Sequence, residues 1–397
     1  MENRKIYMDY SATTPVKKEV LDEMLPYFTE HFGNASSHYS FGEEAKAGLE
    51  KAREQVASLI NAEASEIYFT AGGSESDNWA IEGAALKLKE KGNHIITSKI
   101  EHHAVLHTCE YLEKRHGFEV TYLDVDEDGK ISLDELEKAI KDTTVLITIM
   151  FANNEIGTVE PIKEIAEIAK KHKVLFHTDA VQALANINID VKDLGIDMMS
   201  MSSHKIYGPK GIGALYIRKG VVIDNLIHGG AQERKKRAGT ENIPAIVGFG
   251  KACELAEKNF DNHVKHLTTL RDKLINGIEE AIPYMRVNGH RTDRLPGNAN
   301  FAFKYIEGEG MLLLLDHVGI AGSSGSACTS GSLDPSHVLL AIGLPHEIAH
   351  GSLRLTVGDF TTEEDIDYII EQLPMIVERL RSMSPLYDEA KANGEVK

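Results

Sequence analysis

Short apolar runs alternate with longer amphipathic stretches along the first two thirds of this 397-residue chain. The runs are typical of strands, and apolar residues at helical spacing fill the gaps between them. Six runs predict strands: 66–70, 94–98, 120–123, 145–150, 174–177 and 214–217. Repeated strand–helix units with nearly continuous apolar strands are typical of an α/β fold with a mostly parallel sheet, covered by helices on both faces.

The pattern changes in the last third of the chain. A long helical stretch at about 243–282 predicts a connection between domains, and strand-like runs at 300–303 and 352–357 predict a smaller α+β unit. We therefore expect a large domain at 16–257 and a small domain that combines 1–15 with 258–397.

Lys205 stands in a glycine-marked loop between two apolar runs, 196–201 and 214–217. Burial between strands would remove water from its charged form, lower the pKa of the ε-amine and make it a nucleophile of the Schiff-base type. The alternative is a partly exposed lysine in a glycine hinge.

Polar residues also follow other predicted strands, and in parallel sheets ligands bind beyond the carboxyl ends of the strands. These residues are His102, Asn153, Asn154, Asp179, Gln182 and the segment 202–205. The small-residue turn 71–76 would offer backbone N–H groups and a helix N-terminus to a phosphate. It matches no nucleotide fingerprint, so a plain strand-to-helix turn is an equal alternative.

Composition narrows the class of protein. The formal net charge of −18 argues against nucleic acid as a main partner. Three cysteines far apart in the sequence do not indicate a disulfide framework. The N-terminal residues lack a hydrophobic signal region, and no apolar run approaches the ~20 residues of a membrane span. We expect a cytoplasmic enzyme.

Cys328 differs from the other two cysteines in its surroundings. The stretch 323–332 contains only Ser, Gly, Ala and Thr around it, which predicts a mobile, exposed loop and a candidate nucleophile. A loop cysteine without a role is the alternative. Cys109 and Cys253 lie in apolar helical patterns and are predicted to be inert core thiols.

Two segments match metal-binding patterns in an unfavourable context. Residues 124–135 fit an EF-hand loop, but a strand-like run precedes them, so we expect an acidic turn followed by a helix capped by Ser132. Residues 346–350, HEIAH, fit the zincin pattern, but Gly351 ends the helix at once. We expect surface histidines there, with a zinc hydrolase through His346 and His350 as a remote alternative.

Motifs along nearly the whole chain closely resemble the NifS/IscS-type cysteine desulfurases, which belong to the class V aminotransferase family. These enzymes depend on pyridoxal 5'-phosphate (PLP) and have the aspartate-aminotransferase fold, with a large PLP-binding domain. The matching stretches are 7–15, 75–78, 153–157, 179–182, 204–211 and 323–330.

The resemblance implies a role for each candidate residue. Lys205 would bind PLP covalently, Asp179 would pair with the pyridinium nitrogen, and His102 would stack on the ring as an acid/base. The other implied contacts are Asn154 and Gln182 with the ring hydroxyl; Gly73, Ser74, Ser202 and His204 with the phosphate; Thr240 with the phosphate bound by the partner subunit of a homodimer; and Asn34 and Arg354 with the substrate carboxylate.

The implied reaction converts L-cysteine to L-alanine and leaves the sulfur on Cys328 as a persulfide. The sulfur would then pass to an acceptor protein, such as an iron–sulfur scaffold. A selenocysteine lyase or another PLP lyase of the same fold is the alternative. The basic run 235–237 is heavier than usual in such enzymes and has no explanation in the sequence.

Overall fold

The computed structural model describes residues 4–324, 335–394 and 396. The described residues form twelve strands: β1 Ile6–Tyr7, β2 Ile67–Thr70, β3 His94–Ser98, β4 Glu119–Leu123, β5 Thr144–Thr148, β6 Leu175–Asp179, β7 Met198–Ser202, β8 Gly213–Ile217, β9 Met285–Val287, β10 Asn298–Phe303, β11 Ile320–Ala321 and β12 Ser352–Thr356.

They also form fifteen α-helices: α1 Lys18–Met24, α2 Pro26–Thr29, α3 Ser40–Leu59, α4 Gly73–Leu88, α5 His103–His116, α6 Leu133–Ala139, α7 Ile162–His172, α8 Val191–Leu194, α9 Gln232–Lys235, α10 Ile243–Ala281, α11 Gly308–His317, α12 His337–Ala341, α13 His346–Ala349, α14 Glu363–Ser382 and α15 Pro385–Ala392. Single 3-10 turns stand at Ala64–Glu66 and Ser203–Lys205.

The large sheet has seven strands in the order β2-β8-β7-β6-β5-β3-β4. Five of them, from β7 to β4, are parallel, and β8 is antiparallel to both of its neighbours. The expected mostly parallel α/β sheet is therefore confirmed, with β8 as the exception.

Alternate residues of the central strands enter two different cores. Ile96, Ile147 and Met199 belong to the core on one face, while Leu146 and Met198 belong to the core on the other. Because successive side chains of a strand point to opposite faces, a strand covered on both sides must be apolar throughout. Each fully buried aliphatic side chain contributes about 1.5–3 kcal/mol, which explains why these runs are almost free of polar residues.

A separate core lies in the last third of the chain. It joins Ile6 and Met8 to apolar residues between Leu267 and Val377, beneath the sheet β12-β10-β9 and the pair β1-β11. Helix α10 spans both regions, since Cys253 packs in the core of the large sheet and Leu267 in this one. The long connecting helix is confirmed, while the domain boundary at 257/258 stays a prediction.

The two segments that match metal-binding patterns, 124–135 and 346–350, have the expected local structures. Strand β4 precedes the acidic turn, Val125 pairs with Ile131 in an antiparallel bridge, and the Ser132 hydroxyl accepts from the Glu135 N–H at the start of α6. The HEIAH segment forms only the four-residue helix α13, with His350 as its C-cap. Among the described helices, none combines the length and apolar character needed to cross a membrane.

Candidate active site

A cavity of about 390 Å³ lies at the carboxyl ends of β3, β5, β6 and β7. Ten of the predicted site residues line it: Gly73, Ser74, His102, Asn154, Asp179, Gln182, Ser202, His204, Lys205 and Arg354. Convergence at this edge follows from the parallel topology, because the ends of neighbouring parallel strands lie side by side.

Two predicted residues do not line this cavity, and a third lies outside the described residues. Asn34 is in an exposed loop, where its Oδ1 accepts from the Ser36 N–H at 2.9 Å. Thr240 is exposed in the segment before α10. Cys328 lies outside the described residues. The roles assigned to these three residues therefore stay predictions.

Lys205 closes the 3-10 turn between β7 and β8 and is half-buried, not fully buried as the flanking strands led us to expect. Its Nζ donates to the carbonyl oxygens of Ser11 at 2.5 Å and Ala12 at 2.7 Å. Both the N–H and the hydroxyl of Thr14 donate to the His204 carbonyl and so fix the N-terminal segment beside the turn. Two backbone carbonyls thus hold the amine at the cavity wall.

Four carboxyl groups line the same cavity, and that of Glu155 accepts from the Ser336 hydroxyl. Asp179 ends β6 and accepts from the Val181 N–H at 2.9 Å, Asp77 comes from α4, and Glu101 follows β3. Burial raises the pKa of Asp179, against the opposing charges of His102 and Lys205. Burial and the neighbouring Asp179 raise the pKa of Asp77 well above its usual value.

Three buried, hydrogen-bonded side chains lie next to these carboxyl groups: Thr148, His177 and Ser200. The His177 ring contacts Thr148 Oγ1 at 2.8 Å through Nδ1 and Ser200 Oγ at 2.9 Å through Nε2. Its Nε2 lies 3.8 Å from Asp77 Oδ1. Burial lowers the pKa of His177 to about 3, so this ring is neutral and brings no compensating positive charge.

His102 is the N-cap of α5, and its Nδ1 accepts from the Ala104 N–H at 3.1 Å. The neutral ring therefore carries its proton on Nε2. Ligand atoms of Asp77, His102 and Asp179 lie within 4.8 Å of one another, close enough for a shared cation. A metal ion on His102 Nε2 would move the proton to Nδ1 and break the cap, at a cost of about 1 kcal/mol, whereas an organic cation would not.

The opposite end of the cavity suits an anion. Gly73 is the first residue of the sixteen-residue helix α4, and a Cβ placed there would lie 2.7 Å from Val181 Cγ2. The backbone N–H groups at this helix N-terminus carry partial positive charge. The hydroxyl groups of Ser74 and Ser202 and the His204 ring stand around it. Burial, Lys205 and Lys210 lower the pKa of His204 to about 4, so the ring is neutral at pH 7.

Arg354 reaches the cavity from β12 and is only 2% exposed. One terminal nitrogen pairs with Asp9 Oδ1 at 2.7 Å, and the other donates to the Asn154 carbonyl at 2.9 Å. These contacts fix the plane of the guanidinium. A fixed guanidinium in a cavity wall is a site for a carboxylate.

Several residues of the candidate site were not predicted from the sequence. Asp77 lies in the stretch 75–78 and Glu101 directly precedes His102, so their position at strand and helix ends was the available signal. His337 lines the cavity from the start of α12, after a segment with no recognisable strand end. The carbonyls of Ser11 and Ala12 could not be predicted, because a backbone contact leaves no trace in residue type.

Pyridoxal phosphate fits this arrangement, as judged from the unpaired groups in the cavity. Asp77 Oδ1 and Glu101 Oε2 are buried without a hydrogen-bond partner, and neither carboxyl group has a Lys or Arg ion-pair partner among the described residues. A protonated ring nitrogen would bring a positive charge to this acidic wall, where Asp179 is the carboxylate proposed to pair with it. The helix N-terminus at Gly73 fits a phosphate, and the Lys205 amine fits an aldehyde.

One residue of the basic run 235–237, Arg237, is paired within the chain, and the run follows a backbone of unusual conformation. Glu233, Arg234 and Lys235 adopt left-handed backbone conformations, with φ values of 43°, 56° and 67°. Arg237 pairs with both oxygens of Glu75, two residues after Gly73. Glu233 is buried and pairs with both terminal nitrogens of Arg53 at 2.7 and 2.8 Å. Through Arg237, the run therefore ties its loop to the turn at 71–76.

The cysteines in the described chain have the character expected of them. Cys109 and Cys253 are free and buried. Burial raises the pKa of both thiols, which keeps them protonated and unreactive at neutral pH. Neither lines the cavity.

Comparison with known proteins gives concordant matches. Residues 6–369 match the family model described as Aminotransferase class-V. A protein of Clostridium botulinum named cysteine desulfurase IscS is 60% identical over 397 residues, covering 100% of both chains. A solved structure titled NifS-like protein has a TM-score of 0.89 and 39% identity, covering 95% of this chain and all of the other.

A second solved structure is titled SspA in complex with cysteine. It has a TM-score of 0.79 and 40% identity, and the match covers 90% of this chain and 100% of that one. The fold of the protein is therefore the one that these structures share.

Proposed function

Because this chain belongs to the class V aminotransferase family and, within it, to the cysteine desulfurases, we propose that it converts L-cysteine to L-alanine and transfers the sulfur to Cys328. The observation that carries the proposal is one cavity that brings together a lysine amine, a buried aspartate, a helix N-terminus and a fixed guanidinium. These four groups would hold, in this order, the aldehyde, the ring nitrogen and the phosphate of PLP and the carboxylate of an amino acid.

Pyridoxal phosphate is the proposed cofactor, and when bound it supplies an electron sink for the charge that develops on the substrate. Lys205 would hold it covalently, and the Asp179 carboxylate would keep its ring nitrogen protonated. His102, with its proton on Nε2, would cover the ring. The remaining proposed contacts are Asn154 and Gln182 with the ring hydroxyl, and Gly73, Ser74, Ser202 and His204 with the phosphate.

The substrate carboxylate would bind Arg354. The contacts of the guanidinium with Asp9 and the Asn154 carbonyl set its plane, and a planar fork accepts a carboxylate with two charge-assisted hydrogen bonds. Asn34 is the second proposed carboxylate contact. The loop that carries Asn34 would have to move toward the active-site cavity, because Asn34 does not line it.

Lys205 is the proposed base that removes the Cα proton of the substrate. The Ser11 and Ala12 carbonyls lie at hydrogen-bond distance from Nζ, where they stabilise the ammonium that forms when the amine takes up the proton. The same two acceptors orient the amine at the cavity wall when it is not bonded to the cofactor. This arrangement explains how one side chain can serve both as an anchor and as a base.

The sulfur step is assigned to Cys328. Its thiolate attacks the sulfur of the substrate, an S–S bond forms and the Cβ–S bond breaks, and the electron pair of that bond remains with the three-carbon skeleton. Protonation of the skeleton releases L-alanine. His337 lines the cavity nine residues after Cys328, and nine residues span up to about 30 Å when extended, so chain length permits the contact.

A second copy of the chain is the proposed permanent partner. Six bulky apolar side chains between residues 21 and 41 are 45–65% exposed: Leu21, Leu25, Phe28, Phe32, Tyr39 and Phe41. Apolar exposure of this extent in one segment marks an interface. In the dimer, Thr240 would contact the phosphate of the other subunit, and sedimentation of the protein at micromolar concentration tests the dimer itself. An acceptor protein such as an iron–sulfur scaffold would then take the sulfur.

Mass spectrometry of the cysteine-treated protein tests the proposed reaction. We expect one added sulfur atom on the peptide that contains Cys328, and L-alanine in the supernatant. Cys328→Ala should retain the PLP absorption and the spectral change on cysteine binding, but should produce no alanine. A Cys328→Ala protein with undiminished alanine production would refute the assignment. Selenocysteine, compared at equal concentration, would show whether the enzyme prefers the selenium substrate.

A further inference from the structure

Glu101 is a buried carboxyl group that the proposed reaction does not use. Its side chain lines the cavity and is 1% exposed. Oε1 accepts from the Ser98 hydroxyl at 2.6 Å and from the Met150 N–H at 3.0 Å, whereas Oε2 is buried and has no hydrogen-bond partner. An ionised carboxylate with one oxygen unsolvated and unpaired is strongly disfavoured.

The groups that face Glu101 make ionisation still less favourable. Asp77 approaches from α4, Asp179 from β6 and Glu160 from the segment before α7, and all three carry carboxyl groups. His102, the adjacent residue, interacts with Asp179. His337 Nε2 bonds the main-chain carbonyl of Glu101 and leaves its carboxyl group untouched. Among the described residues, no lysine or arginine forms an ion pair with Glu101.

We propose that Glu101 is a positioning residue that remains protonated at neutral pH, so that it adds no negative charge beside Asp179 where the ring nitrogen of the cofactor would bind. The part of this proposal that concerns the cofactor rests on the proposed function. Burial raises the pKa of Glu101 to about 8, in agreement with the geometry. Above that pH a second negative charge appears in the cavity wall and stabilises the cationic groups around it.

Glu160 provides a matched control. Burial raises its pKa to about 8 as well, and its Oε1 is also buried without a partner, but Glu160 does not line the cavity. Glu160→Gln therefore removes a similar buried acid away from the cofactor. Ser98→Ala is a second variant at the site itself, because the Ser98 hydroxyl lowers the pKa of Glu101 by bonding its Oε1.

The first measurement is an infrared pH titration of the cofactor-free protein. We expect a carbonyl stretching band of a protonated carboxyl group that disappears near pH 8 and is missing in Glu101→Gln. Ser98→Ala should move its midpoint upward, and Glu160→Gln should remove a different band. If Glu101→Gln leaves every protonated-carboxyl band of the wild type in place, the proposal is wrong.

The second measurement is the visible absorption of the PLP-loaded protein between pH 6 and 10. Wild type and Glu101→Gln should have the same spectrum near pH 6.5, and the absorbance midpoint of the variant should lie at least about 0.5 pH unit lower, because only the wild type gains a negative charge. Glu160→Gln should keep the gain of negative charge at Glu101 and shift the absorbance midpoint far less than Glu101→Gln does, although loss of Glu160 lowers the pKa of Glu101. Loss of PLP from Glu101→Gln at pH 7, or an equal shift in Glu160→Gln, would contradict the proposal. A wild type that binds no PLP would refute the proposed function instead, and the infrared result would still decide the state of Glu101.

Discussion

Replacement of Arg354 by lysine tests the assigned carboxylate site most directly. The guanidinium is 2% exposed and uses its two terminal nitrogens for Asp9 Oδ1 at 2.7 Å and the Asn154 carbonyl at 2.9 Å. A lysine has one nitrogen, so Arg354→Lys can preserve the positive charge and the pairing with Asp9, but not a planar fork for the substrate.

The expected loss follows from one missing charge-assisted hydrogen bond. Such a bond is worth about 1.5–3 kcal/mol, which corresponds to a decrease in kcat/KM of about 10- to 150-fold. We expect most of this loss in KM for L-cysteine, because the carboxylate is bound before and during the reaction. Initial rates of alanine formation over a range of cysteine concentrations measure it.

Cysteine methyl ester separates recognition of the carboxylate from a general disturbance of the site. The wild type should lose about the same factor with the ester as the variant loses with cysteine, and Arg354→Lys should lose little more with the ester. Arg381→Lys is the control for burial, since Arg381 is 4% exposed and bonds the carbonyls of Tyr284 and Lys304 outside the cavity. The reasoning is refuted if Arg354→Lys keeps its KM within about threefold of the wild type, or if it loses equal factors with ester and acid.

Two further predictions concern the cofactor anchor and the contact between Lys17, His263 and Asp359. Lys205→Ala, mixed with PLP, should show no protein-bound visible absorption and no alanine production, and retention of the bound absorption would count against the anchor. Burial alone would raise the pKa of Asp359, but His263 and Lys17 lower it to about 2. Its carboxylate therefore stabilises the folded chain above the unfolded pKa and loses that effect as the pH falls from about 4 to 2. Urea unfolding should show Asp359→Asn to be about 2 kcal/mol less stable at pH 7, with the difference shrinking below pH 4; a difference independent of pH would contradict this.

The periodicity of the sequence was sufficient to predict most strands of the large sheet. Runs such as 145–150 are apolar at every position except Thr148, because Leu146 and Ile147 serve different cores. The antiparallel direction of β8 could not be predicted, because direction depends on a short 3-10 turn and a loop rather than on strand composition. The left-handed backbone at Glu233 and Arg234 could not be predicted either, and Glu233 pairs there with Arg53, which lies 180 residues away in the sequence.

The site was predictable where chemistry coincides with a strand end. Asp179 and Ser202 are the last residues of β6 and β7, so the topology alone brings them together. Lys205 was placed correctly but was expected to be more deeply buried, because its strand neighbours are apolar while its own contacts are with carbonyls of the N-terminal segment. Residue pattern cannot report those contacts, which join positions 194 and 193 residues apart.

Two of the residues whose roles stay predictions, Asn34 and Thr240, lie on the outside of the single chain. Asn34 and Thr240 are exposed, and Asn34 falls within the segment 21–41, where Phe28 and Phe32 are 58% and 65% exposed. A second copy that covers this segment would necessarily contact the loop of Asn34. If the proposed dimer forms through this segment, association and completion of the substrate site are the same event. A monomeric variant would then bind PLP through Lys205 and Asp179, yet bind cysteine poorly.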